Sequence, residues 1–117
     1  MNLTAGIKLE AVLASAANTT QPKAHVGFVT YGQEDIYRRP DLQRTALNDT
    51  TDVTILTAPE VGEVKQVTFL SIHNASADTE TVTIKTDDGT TEMVWNSKSL
   101  TTGQVLSWSP DGGWIVS

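Results

Sequence analysis

The chain has 117 residues, which indicates a single domain with one modest hydrophobic core. It contains no cysteine, so disulfides and thiolate metal sites are excluded, and no apolar run is long enough for a transmembrane helix. With 8 basic and 14 acidic residues the net charge is -6, which disfavours nonspecific binding to DNA or to an anionic membrane.

The N-terminal part, residues 1–44, is small, polar and only weakly patterned, and it is slightly basic whereas the remainder is strongly acidic. In residues 7–13 every second residue is apolar, as in a strand, although the alanine-rich sequence of 9–17 also fits a short helix. His25–Tyr31 is a short β-like run. Pro40 disfavours a central strand in Gly32–Arg44, so this stretch is expected to be an exposed arm or long loop.

One group of side chains in this segment resembles a protein interface. Tyrosine and arginine are enriched at binding hot spots because each combines a large contact area with hydrogen-bonding groups. A flexible charged loop is the alternative. The candidate interface residues are Tyr31, Tyr37, Arg38, Arg39 and Arg44.

The sequence pattern of the remaining residues, 45–117, predicts short strands separated by turns. Glu63–Asn74 has apolar residues at both odd and even positions, which point to opposite faces of a strand. This indicates a central strand covered on both faces. Asp87-Asp88-Gly89 is a strong hairpin signal. The predicted strands lie within 45–57, 63–74, 80–86, 91–96, 104–109 and 113–116.

This rhythm predicts an all-β fold: a jelly-roll-like β-sandwich of seven to eight short antiparallel strands with an extended N-terminal arm. The predicted division is an arm at 1–44 and a sandwich body at 45–117. Large aromatic residues are expected at the hydrophobic centre, with a sugar-stacking platform of the three tryptophans as the alternative. These aromatic residues are Phe69, Trp95, Trp108 and Trp114.

No pattern of reactive residues points to catalysis. His25 and His73 lie far apart in sequence, and the nucleophile-elbow, P-loop and Rossmann glycine patterns are missing. Asp87, Asp88 and Glu92 resemble a fragment of a calcium loop, but the spacing of an EF-hand is not there, so an ordinary hairpin tip is expected. We therefore expect no enzyme activity, no cofactor and no metal.

From residue 45 onward the order of motifs is similar to that of a known group. A strand closing in Thr57-Ala58-Pro59 precedes a long apolar strand that ends at Asn74, and a small-residue turn then leads to Val82-Thr83-Ile84. Leu100-Thr-Thr-Gly-Gln-Val-Leu and Gly113-Trp-Ile-Val close the chain. This order resembles the small β-sandwich virion structural proteins of tailed bacteriophages, across about the last two-thirds of the chain.

The resemblance implies a location in the virion and a structural role. We expect a capsid decoration, or cement, protein that binds the major capsid protein or other virion proteins. It would be a homo-oligomer, as a trimer or ring, with neither nucleic acid nor membrane as a direct partner. A tail, baseplate or fibre-hub adaptor is the alternative within this class, and a carbohydrate-binding module is the alternative outside it.

Overall fold

The computed structural model describes residues 1–17, 20–32, 38–48 and 50–117, and for Arg38 the backbone only. These residues form ten β-strands. None of them belongs to a helix that is long and apolar enough to cross a membrane. The strands are β1 (Asn2–Leu3), β2 (Lys8–Leu13), β3 (Lys23–Gly32), β4 (Arg38–Ala46), β5 (Val53–Leu56), β6 (Glu63–His73), β7 (Glu80–Asp87), β8 (Glu92–Leu100), β9 (Val105–Ser109) and β10 (Gly113–Val116).

The strands make two antiparallel sheets. The larger sheet has the order β10-β9-β6-β3-β4, with β1 pairing with β6, and the smaller sheet has the order β5-β2-β7-β8. The predicted all-β sandwich is confirmed, with ten strands in the described residues instead of seven or eight.

The hydrophobic core lies between the sheets. Alternate residues of each strand point inward, as the period of two requires. Thus Val26 of β3, Ile84 of β7 and Leu106 of β9 are all fully buried. The other leucine and isoleucine residues buried there are Leu3, Leu9, Leu13, Leu47, Ile55, Leu56, Leu70, Ile72 and Leu100.

Residues 1–44 are part of this sandwich, which corrects the prediction of an arm. Strand β2 lies between β5 and β7, and β3 lies between β6 and β4. The expected boundary at residue 44 falls inside β4. Pro40 is accommodated because β4 is an edge strand, where a missing NH group costs no ladder hydrogen bond on the open side.

The two-sided apolar pattern of β6 has a local cause. Gly27 pairs with Phe69 whereas Phe28 pairs with Val67, so Thr68 is an extra residue in a β-bulge. Before the bulge the odd-numbered residues face the core, and after it the even-numbered residues do. Val67, Leu70 and Ile72 therefore all reach the core. Phe69 is left on the outer face at 42% exposure, so its predicted place at the hydrophobic centre is wrong.

Candidate functional site

The outer face of the larger sheet gathers basic side chains from three neighbouring strands. Lys23 pairs with His73 across β3 and β6, and His25 pairs with Arg44 across β3 and β4. These positions alternate with the buried residues Ala24 and Val26, so their side chains project away from the core. We call Lys23, His25, Arg44 and His73 the cationic face.

A shallow hollow of about 450 Å³ is centred on this face and is lined by Lys23, His25 and Arg44. The two histidines are diagonal neighbours, because His25 pairs with Ser71, two residues before His73. The sequence placed them in separate strands, and only the pairing of β3 with β6 brings them together. Clustered donors of this type suit carboxylate or phosphate groups.

Apolar side chains continue the cationic face along the same sheet. Gly27 lies between Phe69 on one neighbouring strand and Leu42 on the other. The Phe69 ring lies over Gly27, where a Cβ atom would overlap it. Phe69 is 42% and Leu42 47% exposed, so an apolar contact area adjoins the positive charges.

Among the described strands, the outward positions of the larger sheet carry neither aspartate nor glutamate. The nearest carboxylates in these strands, Asp41 and Glu63, occupy the alternate positions that face inward. In a chain with 14 acidic residues, this separation makes one face of the molecule electrostatically distinct.

The structure divides the predicted interface residues between two surfaces. Tyr31 and Arg44 lie on the outer face with the cationic face, and the Tyr31 hydroxyl is 3.0 Å from Gln66 Oε1. Arg39 is on the inward parity, where its Nη2 lies 3.7 Å from Glu63 Oε2. Tyr37 and the side chain of Arg38 lie outside the described residues.

Arg39 borders a second hollow, of about 510 Å³, near Phe28 and Lys65. Lys65 Nζ donates to the carbonyl and the hydroxyl of Thr57, each at 2.9 Å, and lies 5.1 Å from the centre of the Phe28 ring. Partial burial lowers the pKa of Lys65. These contacts hold the lysine as a structural part of the sandwich edge.

The outer face of the smaller sheet carries a second charged group, which we call the acidic network: Glu10, Asp52, Asp87 and Glu92 with Lys8 and Lys85. Lys85 Nζ lies 2.8 Å from both Asp52 Oδ1 and Glu92 Oε2. Hydrogen bonds to these carboxylates raise the pKa of Lys85, and the pKa of Asp52 is lowered chiefly by its bond to Lys85.

Glu10 is the buried member of this network. Burial, followed by contact with Asp87, raises the pKa of Glu10, while Lys8 opposes that change.

The hairpin prediction for 87–89 is confirmed, since Gly89 has φ 91° between β7 and β8. Asp88 is turned into that hairpin, with Oδ1 accepting the NH groups of Thr91 at 2.6 Å and Thr90 at 2.8 Å. These bonds lower the pKa of Asp88.

The three tryptophans pack against one another where β8 approaches β9 and β10. The Trp95 ring centre lies 5.0 Å from that of Trp108 and 4.7 Å from that of Trp114, with interplanar angles of 65° and 70°. All three pack on the core. Edge-to-face packing uses the ring faces internally, in contrast to the exposed, coplanar rings of a sugar platform.

Searches against protein-family models, curated proteins and solved structures find no significant match to this chain. The candidate site therefore stands on its own geometry.

Proposed function

We propose that this protein is a virion structural protein of a tailed bacteriophage, a decoration protein that binds and stabilises the major capsid shell without enzymatic activity. The observation that carries the proposal is the cationic face, with its adjoining apolar surface, on an otherwise acidic protein. Such a face can bind an acidic protein surface firmly, while the negative charge of the rest of the molecule keeps the protein in solution.

The dimensions of the molecule suit this role. It measures 47 × 30 × 20 Å. Two packed sheets lie roughly 10 Å apart, so the short dimension corresponds to the stack of layers and the broad faces to the sheets. A standard interface takes about 800 Å² from each partner, which one broad face can supply.

The chemistry of the face also suits a protein partner. Phe69 and Leu42 offer apolar area, while Arg44 and Lys23 can pair with carboxylates at its edge. Arginine and aromatic residues dominate the energetics of protein interfaces. On a shell with many equivalent sites, copies that contact one another in a ring or trimer would gain further from avidity.

Binding to purified capsids tests the proposal directly. We expect Arg44→Glu to weaken co-sedimentation with capsids at least about tenfold, which is about 1.4 kcal/mol. The matched control is Lys98→Glu, which reverses an exposed charge on edge strand β8 of the other sheet and should leave binding unchanged. Equal loss in both variants, or no loss in either, would contradict this use of the face.

The copy number in the virion separates the decoration role from that of a tail, baseplate or fibre-hub adaptor. A decoration protein should approach the major capsid protein in abundance on a quantitative gel of purified particles, whereas an adaptor should be present only in the small number set by the tail symmetry. Electron microscopy of the same particles with labelled protein should place the label over the shell. Label confined to the tail would favour the adaptor.

A further inference from the structure

Three strands of the smaller sheet bring carboxylates to one point of the acidic network. Glu10 comes from β2, Asp87 from the end of β7 and Glu92 from the start of β8. Each offers one oxygen, and these three oxygens lie within 4.8 Å of one another. Oxygens that share one Ca²⁺ ion, each at about 2.3–2.6 Å, lie up to roughly 5 Å apart, so this spacing suits a common ion.

The environment of Glu10 is an independent indication that a ligand is needed. Glu10 is only 4% exposed, and its Oε1 is buried without a hydrogen-bond partner among the described residues. A charged oxygen removed from water with no partner is costly. Glu10 therefore needs either a cation or a proton at Oε1.

The charges around Glu10 leave room for a divalent cation. Lys85 is occupied by Asp52 and Glu92, and its side chain is only 14% exposed. Lys8 contacts Glu10 Oε2 at 3.4 Å and Asp87 Oδ2 at 4.0 Å, but its side chain is 37% exposed, so it can turn into solvent. Four carboxylates against two ammonium groups leave a formal charge of -2 in the acidic network, which favours the binding of a divalent cation.

We propose that Glu10, Asp87 and Glu92 form a calcium site on the outer face of the smaller sheet. All three ligands are carboxylates, which are hard oxygen donors and favour Ca²⁺ over softer metals. Mg²⁺ needs near-ideal octahedral geometry, which carboxylates from three separate strands are poorly suited to give, while Ca²⁺ accepts irregular coordination completed by water. Binding displaces Lys8 from Glu10 and Asp87 and leaves the contacts of Lys85 with Asp52 in place.

Calcium binding would stabilise the fold by joining β2, β7 and β8. An ion that binds only the folded chain raises the apparent stability in proportion to the logarithm of its concentration above Kd. This proposal rests on no assumption about the capsid, so its outcome and that of the capsid experiment are independent.

Calcium titration of the full-length protein tests the site, with equilibrium dialysis to count ions and calorimetry to follow Tm. We expect CaCl₂ to bind at one ion per chain and to raise Tm, with MgCl₂ at the same concentration giving a smaller shift. Glu10→Gln should weaken Ca²⁺ binding at least about tenfold, because a ligand charge is removed. Asp111→Asn, at the turn between β9 and β10, is the matched control and should bind as the parent does.

Lys8→Met provides a test in the opposite direction. This variant removes the ammonium group that competes for Glu10 and Asp87, so Ca²⁺ affinity should rise above that of the parent. The proposal is overturned if neither the parent nor Lys8→Met binds Ca²⁺, or if Glu10→Gln binds as tightly as the parent. Stabilisation by Glu10→Gln without Ca²⁺ binding in the parent would show that the buried carboxyl group of Glu10 is costly to the fold and serves no ion.

Discussion

Asn74 is the polar residue on which one end of the sandwich depends. It is fully buried, and its Nδ2 donates to the carbonyls of Asp78 and Leu100, each at 2.9 Å. Its Oδ1 accepts the NH group of Ser76 at 3.0 Å. One side chain thus joins the turn after β6 to the end of β8, beside the backbone hydrogen bonds that Asn74 makes with Gly103 and Gln104.

Replacing Asn74 should therefore strongly lower the free energy of unfolding. Asn74→Ala leaves buried backbone groups without partners, each worth about 1–3 kcal/mol, so we expect a loss of about 2–4 kcal/mol in the free energy of unfolding. Chemical denaturation followed by circular dichroism measures it. Asn96→Ala is the control, because Asn96 Oδ1 accepts an exposed local bond from Ser97, and its loss should be no more than about 0.5 kcal/mol. Equal losses would show that Asn74 is not a structural link.

Single residues also show where inference from sequence ends. Lys8, Glu10 and Val12 take the outward parity of β2, which predicts an exposed glutamate. Glu10 is buried because Lys85 on β7 and Thr54 on β5 are its neighbours across the sheet. Those neighbours depend on strand order, and a pattern along one strand contains no information about the order.

Among the strands, turn chemistry was predictable and bulges were not. The Asp-Asp-Gly signal fixes the β7–β8 hairpin locally, because glycine supplies the positive φ that the turn requires. The bulge at Thr68 has no such local signal, since it depends on how β6 pairs with β3. Phe69 was grouped with the core tryptophans because of its large aromatic side chain, whereas its strand position leaves it on the outer face.

Two aromatic truncations distinguish these environments. Trp108 of β9 pairs with Leu70 and Trp114 and packs on Trp95, so Trp108→Ala should cost about 2–3 kcal/mol. Phe69→Ala removes a ring that rests on the outer surface, and it should cost no more than about 1 kcal/mol. Urea unfolding measured by circular dichroism gives both values, and a larger cost for Phe69 would place its ring in the core.

At the scale of the whole molecule, the N-terminal strands are the centre of the sandwich. The patterns of residues 7–13 and 25–31 indicate β structure. The weak patterning of residues 1–44 as a whole, however, predicted a segment at the periphery of the fold. The sheets need these strands because β5 and β7 do not pair with each other, and β4 reaches β6 only through β3. The order of the strands in the sheets thus differs most from their order along the chain in the N-terminal segment, which the predicted boundary at residue 44 separated from the sandwich.

Deleting residues 1–44 should consequently abolish folding. The deletion removes β1, β2, β3 and most of β4, and with them Leu9, Leu13 and Val26 from the core. Residues 45–117 alone should show no cooperative thermal transition and poorly dispersed amide resonances. Deleting 113–117 is the control, since it removes only edge strand β10 and should leave a cooperative, less stable domain. A folded 45–117 fragment would restore the N-terminal segment as a separable arm, and its ability to bind capsids could then be measured directly.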